Sequence, residues 1–500
     1  MLLTLYVLAL AALAVHAPPD LWEPGTRGFI VVIGVLGAWR YGWGAVHLVR
    51  ALIYRHVVFP RWRRTADRLL TEEGGGGRDR QLFIVVTSFR IDVPTTVAVF
   101  RAAFEEAARH PGPATVIAAV VELGDQRLIK AVFRKLDPSP GVRLGFVRTP
   151  GTGKRDGLAA ALRAVSRARP RRGAAVVVID GDALLTPGSL GRCLPLLRLM
   201  PDVAAVTTDE DCVVRGGVLA REWHRLRFAQ RHQLMSSMGL SRRLLTLTGR
   251  MSVYRAEVAT DPDFIAMVES DSLDHWRLGS FRLLTGEDKS TWLWVLGRGR
   301  AMLYVPDVQV VTIEHPPRRS FVHASTLLML RWFGNMLRAN GRAIALGPRR
   351  VGGPFVWWCL VDQRLSMWTP LVGPTLALMV GLGAGATPFL YAYALWVGST
   401  RLVQALTLLT TGRRVSGLWP PLIYYGQVYG ALVKTYILFR LDRQGWTRQN
   451  TRADRRLPAW RMRRHRLGSA YLQGLALGAL AVALAFATDL LALPPLDGLF

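Results

Sequence analysis

The chain has 500 residues, half of them hydrophobic, and 64 Lys or Arg against 35 Asp or Glu give a formal net charge of +29. The apolar share excludes a mainly disordered chain, the length allows about two to four domains, and the three cysteines (Cys193, Cys212, Cys359) exclude a disulfide scaffold and match no zinc-ligand spacing. A charge of this size suits nucleic acid, but the apolar residues gather at both ends, so a membrane with an anionic inner face is the expected partner and nucleic acid is not.

No charge falls in residues 1–15, and a second apolar stretch at 28–49 is broken by Arg40. No Lys or Arg precedes the first stretch and the second follows at once, so 1–50 is expected to be a transmembrane helix pair rather than a cleaved signal. Arg40 is expected to snorkel to a membrane face. Gly74–Gly77 is expected to be a flexible linker. From 81 to 315 short β-branched runs at 82–87, 115–121, 142–147, 174–179 and 203–207 alternate with helical periodicity at 95–109, 126–136, 156–169 and 189–199. This alternation predicts an α/β domain with a mostly parallel sheet, whose ligands bind at the carboxyl ends of the strands.

Interfacial helices are expected at 316–365 and a C-terminal membrane region at 366–500. Residues 366–400 carry no charge, with a hairpin expected at 383–388 between two crossings, and 467–488 is another uncharged span. Arginines after the second helix, and ten Arg against two Asp at 440–466, place both segments and the central domain on the cytoplasmic side. Residues 418–439 are therefore expected to be re-entrant or interfacial. Five crossings result, or six if one upstream goes undetected.

Val176-Val177-Val178-Ile179-Asp180-Gly181-Asp182 is a buried strand ending in two carboxylates, which can hold one hard cation such as Mg²⁺ or Mn²⁺ shared with substrate phosphates. The plainer alternative is a turn capping the next helix. Gly151-Thr152-Gly153-Lys154-Arg155-Asp156-Gly157 opens a helix and suits a phosphate, although Arg148 and Arg155 exclude a Walker loop. Thr285-Gly286-Glu287-Asp288 starts a helix, where an acid is either a dipole partner or a general base. Arg331-Trp332-Phe333 lies on an amphipathic helix, Gln444-Gly445-Trp446-Thr447-Arg448 in a basic loop, and His224, His275 and His315 are expected to be structural.

In this order the motifs resemble the processive family 2 glycosyltransferases, the membrane synthases of cellulose, hyaluronan and chitin. Leu226-Arg227-Phe228-Ala229-Gln230-Arg231-His232, Thr248-Gly249-Arg250-Met251 and Leu441-Asp442-Arg443-Gln444, with the motifs above, narrow the resemblance to the catalytic subunit of bacterial alginate polymerase, the mannuronan synthases. The resemblance implies a GT-A fold and a multi-pass inner-membrane enzyme that polymerises mannuronate from GDP-mannuronate onto a growing polysaccharide. It implies Asp125 near the nucleoside, Lys154 and Arg155 near the diphosphate, Asp180 and Asp182 at the metal, and Asp288 as the base. Arg331 and Trp332 would hold the acceptor, and Trp446 and Arg448 would belong to a gating segment. A separate PilZ-domain subunit that binds cyclic di-GMP is the implied partner. Leu328 stands where the family has glutamine, and no glycine separates Trp446 from Thr447. The rival readings are a synthase using another nucleotide sugar and a non-catalytic channel or scaffold.

Overall fold

The structure, a computed structural model, describes residues 2–16, 27–72, 80–383, 387–446, 451–452, 458–488 and 490–491. In chain order come α1 (Leu2–Val15), α2 (Arg27–Ile53), a π-helical turn (Tyr54–Val58), α3 (Phe59–Glu72), β1 (Leu82–Thr87), α4 (Val93–Arg109), β2 (Ala114–Val120), α5 (Leu123–Leu136), β3 (Val142–Arg148), α6 (Lys154–Arg167), β4 (Ala175–Asp180), β5 (Ala183–Leu185) and α7 (Ser189–Leu199). There follow β6 (Val203–Val214), α8 (Val218–Gly239), β7 (Met251–Arg255), α9 (Ala256–Ala259), α10 (Pro262–Glu269), β8 (Ser272–His275), β9 (Gly279–Arg282), α11 (Glu287–Gly297), β10 (Ala301–Glu314) and α12 (Phe321–Ala345). The remainder is α13 (Gly347–Val351), α14 (Pro354–Leu365), α15 (Thr369–Leu376), a π-helical stretch (Ala377–Gly383), α16 (Thr387–Thr407), α17 (Trp419–Leu438), the two-residue strands β11 (Gly445–Trp446) and β12 (Thr451–Arg452), and α18 (Ala459–Ala487). Two compact units result: Val49–Leu360 with Asp442–Ala453, and Met1–Leu48 with Val361–Leu441 and Asp454–Phe500.

The first unit is built on an eight-stranded sheet in the order β3-β2-β1-β4-β7-β6-β10-β5. β3, β2, β1 and β4 run parallel, as their near-continuous apolar sequences require when helices cover both faces. β7 is antiparallel to β4 and β6, and the long β10 runs parallel to β6 with a bulge between Val305 and Gln309 that accommodates Pro306. Asp307 at that bulge accepts two bonds from Arg63, at 2.8 and 2.9 Å, and so docks α3. Asp92 caps α4 by accepting from Thr95 N at 3.0 Å, while buried Glu106 accepts from the amides of Gly188 and Leu190 and caps α7. Four parallel strands thus end at one edge, and the turns that follow them carry the motif residues.

The second unit is helical. Val372, Leu376, Ala377, Val380, Phe389 and Leu484 form its buried cluster. Arg40 does not snorkel: Nη1 pairs with Asp362 at 2.6 Å and Nε donates to Thr369 Oγ1 at 2.9 Å, because a charge between apolar helices is stabilised by an internal partner. Within the segment expected to be re-entrant or interfacial, Trp419–Leu438 forms one unbroken 20-residue helix. Arg401 donates to Tyr41 Oη at 2.8 Å, and Gln427 to Gln404 at 3.0 Å. Among the described residues Pro354–Gly383 and Ala459–Ala487 are long and apolar enough to cross a membrane. The expected linker at Gly74–Gly77 lies outside the described residues, as do residues 384–386 of the expected hairpin.

Candidate active site

β4 delivers Asp180 at its last position, opposite Thr87 of β1. The chain then turns so closely over β1 that a Cβ at Gly181 would come 2.7 Å from the Thr87 carbonyl oxygen, so only glycine fits between the two acids. Lys154, the first residue of α6, follows β3. Its Nζ pairs with Asp180 Oδ1 at 2.5 Å and donates to Glu287 Oε1. Burial alone would drive the ammonium to lose its proton, but the two carboxylates outweigh it and hold Lys154 charged well above the usual lysine range. Asp125 stands in the first turn of α5, after β2, where burial and Glu122 raise its pKa. Asp125, Lys154 and Asp180 therefore stand at the carboxyl ends of β2, β3 and β4, parallel strands of one sheet.

The Thr285-Gly286-Glu287-Asp288 turn brings two acids with different tasks. Glu287 is held ionised by Lys154 and Arg155 against the burial that would raise its pKa. Burial, reinforced by the Glu287 charge, pushes Asp288 above the ordinary aspartate value, and its Oδ1 accepts from Lys289 N at 2.9 Å. Such a carboxylate suits proton abstraction. Burial lowers the Lys289 ammonium to about 8. Lys154, Thr248, Gly249, Tyr254, Glu287 and Asp288 line one pocket.

Arg155 departs from its expected place at the diphosphate. Its guanidinium is buried and donates to the Val268 and Thr285 carbonyls at 2.9 and 3.2 Å and to Ser290 Oγ at 2.9 Å. It therefore fastens the start of α11 rather than facing a ligand. Ser290 in turn donates to Asp271 at 2.5 Å, and Asp271 takes a two-pronged bond from Arg342 at 2.7 and 2.8 Å. Glu287, Lys289, Asp271 and Arg342 are the residues that sequence reasoning missed. Glu287 had a signal in its adjacency to Asp288, whereas the Asp271–Arg342 pair, 71 positions apart, had none.

Asp182 stands in the turn after β4 and adds to the charge that stabilises the Arg250 cation, which also pairs with Glu210 at 3.2 Å and Glu314 at 2.9 Å. Arg331 helps to lower the Glu314 carboxyl, whose burial is outweighed by Arg250 and His224 so that its pKa falls to about 2. Trp332 stacks on Trp223 with ring centres 5.7 Å apart and an interplanar angle of 23°. Leu328 is buried, so the position of the family glutamine is apolar interior here. His224 packs edge-on to Trp332, and burial lowers it to about 4, which leaves it neutral at pH 7. The structure thus gathers Lys154, Glu287 and Asp288 around one pocket, pairs Asp180 with Lys154 beside it, and sets Arg331 and Trp332 in a second cluster with α8.

Arg448 and the Trp446 side chain lie outside the described residues. The neighbouring Gln444 is fixed on the strand that leads to Asp288: its side chain accepts from Leu284 N at 2.9 Å and donates to the Arg282 carbonyl at 2.8 Å.

The donor set at the strand edge fits a hard divalent cation. Asp180 and Asp182 offer oxygen ligands, and the missing Cβ at Gly249, which would come 3.0 Å from Asp180 Oδ2, leaves space beside them. No cluster of three or more His, Cys, Asp or Glu able to hold a metal occurs among the described residues, so other ligands would come from substrate phosphates and water.

The sequence profile described as "Glycosyltransferase like family 2" matches residues 80–335. The chain belongs to the family 2 glycosyltransferases. It is 48% identical over 450 residues to glycosyltransferase alg8 of Pseudomonas syringae pv. tomato, covering 90% of each chain. It is 45% identical over 458 residues to glycosyltransferase alg8 of Azotobacter vinelandii, covering 91% of each. A mannosyltransferase of Pyrobaculum calidifontis solved with GDP-Man and Mn²⁺ is 20% identical, with a TM-score of 0.46 over 78% of this chain and 97% of that one. The mixed sheet is the GT-A-like fold of the family, and the chain is a glycosyltransferase.

Proposed function

We propose that this glycosyltransferase polymerises mannuronate from GDP-mannuronate into a β-1,4-linked alginate precursor at the cytoplasmic face of a bacterial inner membrane. The observation that carries the reading is Lys154 held between Asp180 and Glu287 beside the half-buried Asp288. The alg8 relatives and the motifs shared with mannuronan synthases support the choice of polymer.

In this mechanism Asp125 contacts the nucleoside and Lys154 meets the diphosphate. A divalent cation, Mg²⁺ or Mn²⁺, held by Asp180 and Asp182 would neutralise charge on the leaving nucleotide. Asp288 takes the proton from the attacking acceptor hydroxyl as that oxygen bonds to the anomeric carbon, a single inverting displacement. Arg155 acts indirectly, by holding the turn that presents Glu287 and Asp288. Arg331 and Trp332 hold the acceptor end, and the segment with Trp446 and Arg448 closes over the diphosphate, anchored by Gln444.

The helical unit is the membrane part and the exit path in this reading. Among its described residues α18 buries only Ser469, Leu484 and Ala485, which is tolerable for an apolar 29-residue helix in lipid but not in water. The Arg40–Asp362, Arg401–Tyr41 and Gln404–Gln427 contacts give that unit an internal polar lining. Regulation comes from a PilZ-domain subunit that binds cyclic di-GMP.

Donor competition tests the reading. Membranes containing the chain, its PilZ partner and cyclic di-GMP are expected to incorporate label from GDP-mannuronate, undiminished by excess UDP-sugars. Incorporation from a UDP-sugar and none from GDP-mannuronate would overturn the donor assignment.

A further inference from the structure

The buried or half-buried arginines of the catalytic unit are matched to acceptors: Arg63 to Asp307, Arg342 to Asp271, Arg250 to Glu210 and Glu314, and Arg155 to carbonyls and Ser290. Arg227, on α8, is different. Its guanidinium carbon lies 3.9 Å from the ring centre of Trp332 and 4.9 Å from that of Trp223. Among the described residues no carboxylate stands within 4 Å of it and nothing accepts a hydrogen bond from it. Glu314, the acid whose charge acts on it, is already bonded to Arg250, which itself repels Arg227. Two indole faces offset part of the desolvation, about 0.5–2 kcal/mol, but they leave the planar fork of five N–H donors unused.

A half-buried cation that no protein carboxylate answers keeps its donors for a ligand that brings the anion. We infer that Arg227, set over the Trp223–Trp332 platform, is the subsite that reads the carboxylate of an acidic sugar at the acceptor end of the polymer. The chemistry matches both halves of such a ligand. Trp223 is buried, so it is the half-exposed Trp332 that can pack against the C–H face of a pyranose, while the guanidinium takes a carboxylate in a two-pronged, charge-assisted bond. Glu210, Glu314 and Asp182 are already engaged with Arg250, so Arg227 is the group left to meet the incoming charge. This deepens the proposed function, because it rests on Trp332 facing the acceptor and names the acidity of the sugar as the feature recognised.

The test uses the purified full-length chain with its partner subunit in lipid nanodiscs. Binding of a short mannuronate oligosaccharide is compared with that of its carboxyl-reduced, neutral counterpart, for the native chain, Arg227→Gln and Arg227→Lys. The native protein is expected to prefer the acidic oligosaccharide by about 10- to 100-fold, the worth of one hydrogen bond to a charged group. Arg227→Gln should bring that ratio close to one, and Arg227→Lys should keep part of it as a point charge without the fork. An unchanged ratio in Arg227→Gln, a native ratio near one, or loss of both ligands in both variants would overturn the inference. Polymer synthesis by the native chain is scored separately. Acidic preference without polymer from GDP-mannuronate would sink the donor assignment and leave the acidic-sugar subsite standing; polymer without acidic preference would do the reverse.

Discussion

Lys154 and Arg227 are both half-buried cations, and their surroundings push them in opposite directions. Lys154 lies between two carboxylates, and its proton is held more firmly than in free lysine. Arg227 lies over two tryptophans, and burial together with Arg250 lowers it to about 9. The first environment completes its charge balance inside the protein and so keeps its geometry with or without ligand. The second leaves a positive charge unanswered and favours a ligand that carries the missing anion. A cation's partners therefore say more about its task than its depth does.

Breaking the charge balance should have the largest effect. Arg250→Met removes the cation that Glu210 and Glu314 share, leaving buried carboxylates short of a partner, and is expected to cost about 3–5 kcal/mol of stability. Thermal unfolding of the detergent-solubilised chain measures this, and a melting temperature equal to the native one would remove Arg250 from the balance. Asp180→Asn takes one carboxylate from Lys154 and one ligand from the proposed cation site. Transfer should fall by about 10²–10³-fold while the fold is retained, as initial rates at saturating donor would reveal.

Smaller and more diagnostic is the acid limb of the pH–rate profile. Asp288 must be ionised to act as a base, so activity should be lost as pH falls through its raised pKa. Glu287 contributes to that rise and Lys289 opposes it. Glu287→Gln should therefore move the limb to lower pH and Lys289→Met to higher pH, each by about one unit or less. Shifts in the same direction in both variants would show that the limb belongs to another group. Glu314 supplies a related effect on stability. Its folded-state pKa of about 2 lies below the ordinary glutamate value of 4.5, so its contribution is present above about pH 4.5 and is lost as pH falls towards 2. Acid unfolding of Glu314→Gln against the native chain should display the difference in that window.

The sequence disclosed most where local pattern and tertiary role coincide. The run from Val176 to Ile179 is β-branched throughout and ends in Asp-Gly-Asp, so the strand and the edge it reaches could be read together. The parallel half of the sheet and the helices around it were legible for the same reason. β10 was not, because Pro306 and Asp307 interrupt its pattern at a bulge that exists only against β6. Arg155 followed Lys154 in a motif that suits phosphate, yet only the fold decides that one side chain meets Asp180 and the other turns to Thr285 and Ser290. Arg40 and Asp362, 322 positions apart, illustrate the same limit in the helical unit: composition fixes the cost of a charge among apolar helices but not the partner that relieves it.

In the proposed mechanism Asp288 removes the acceptor proton in a centre organised by Lys154. The most direct measurement is incorporation of labelled mannuronate by membranes holding the chain, the proposed PilZ-domain partner and cyclic di-GMP, with the native protein beside Asp288→Asn. The amide keeps the shape and loses the basicity, so polymer is expected from the native chain and none from Asp288→Asn at equal abundance and equal melting temperature. Polymer from both in similar yield would contradict the account.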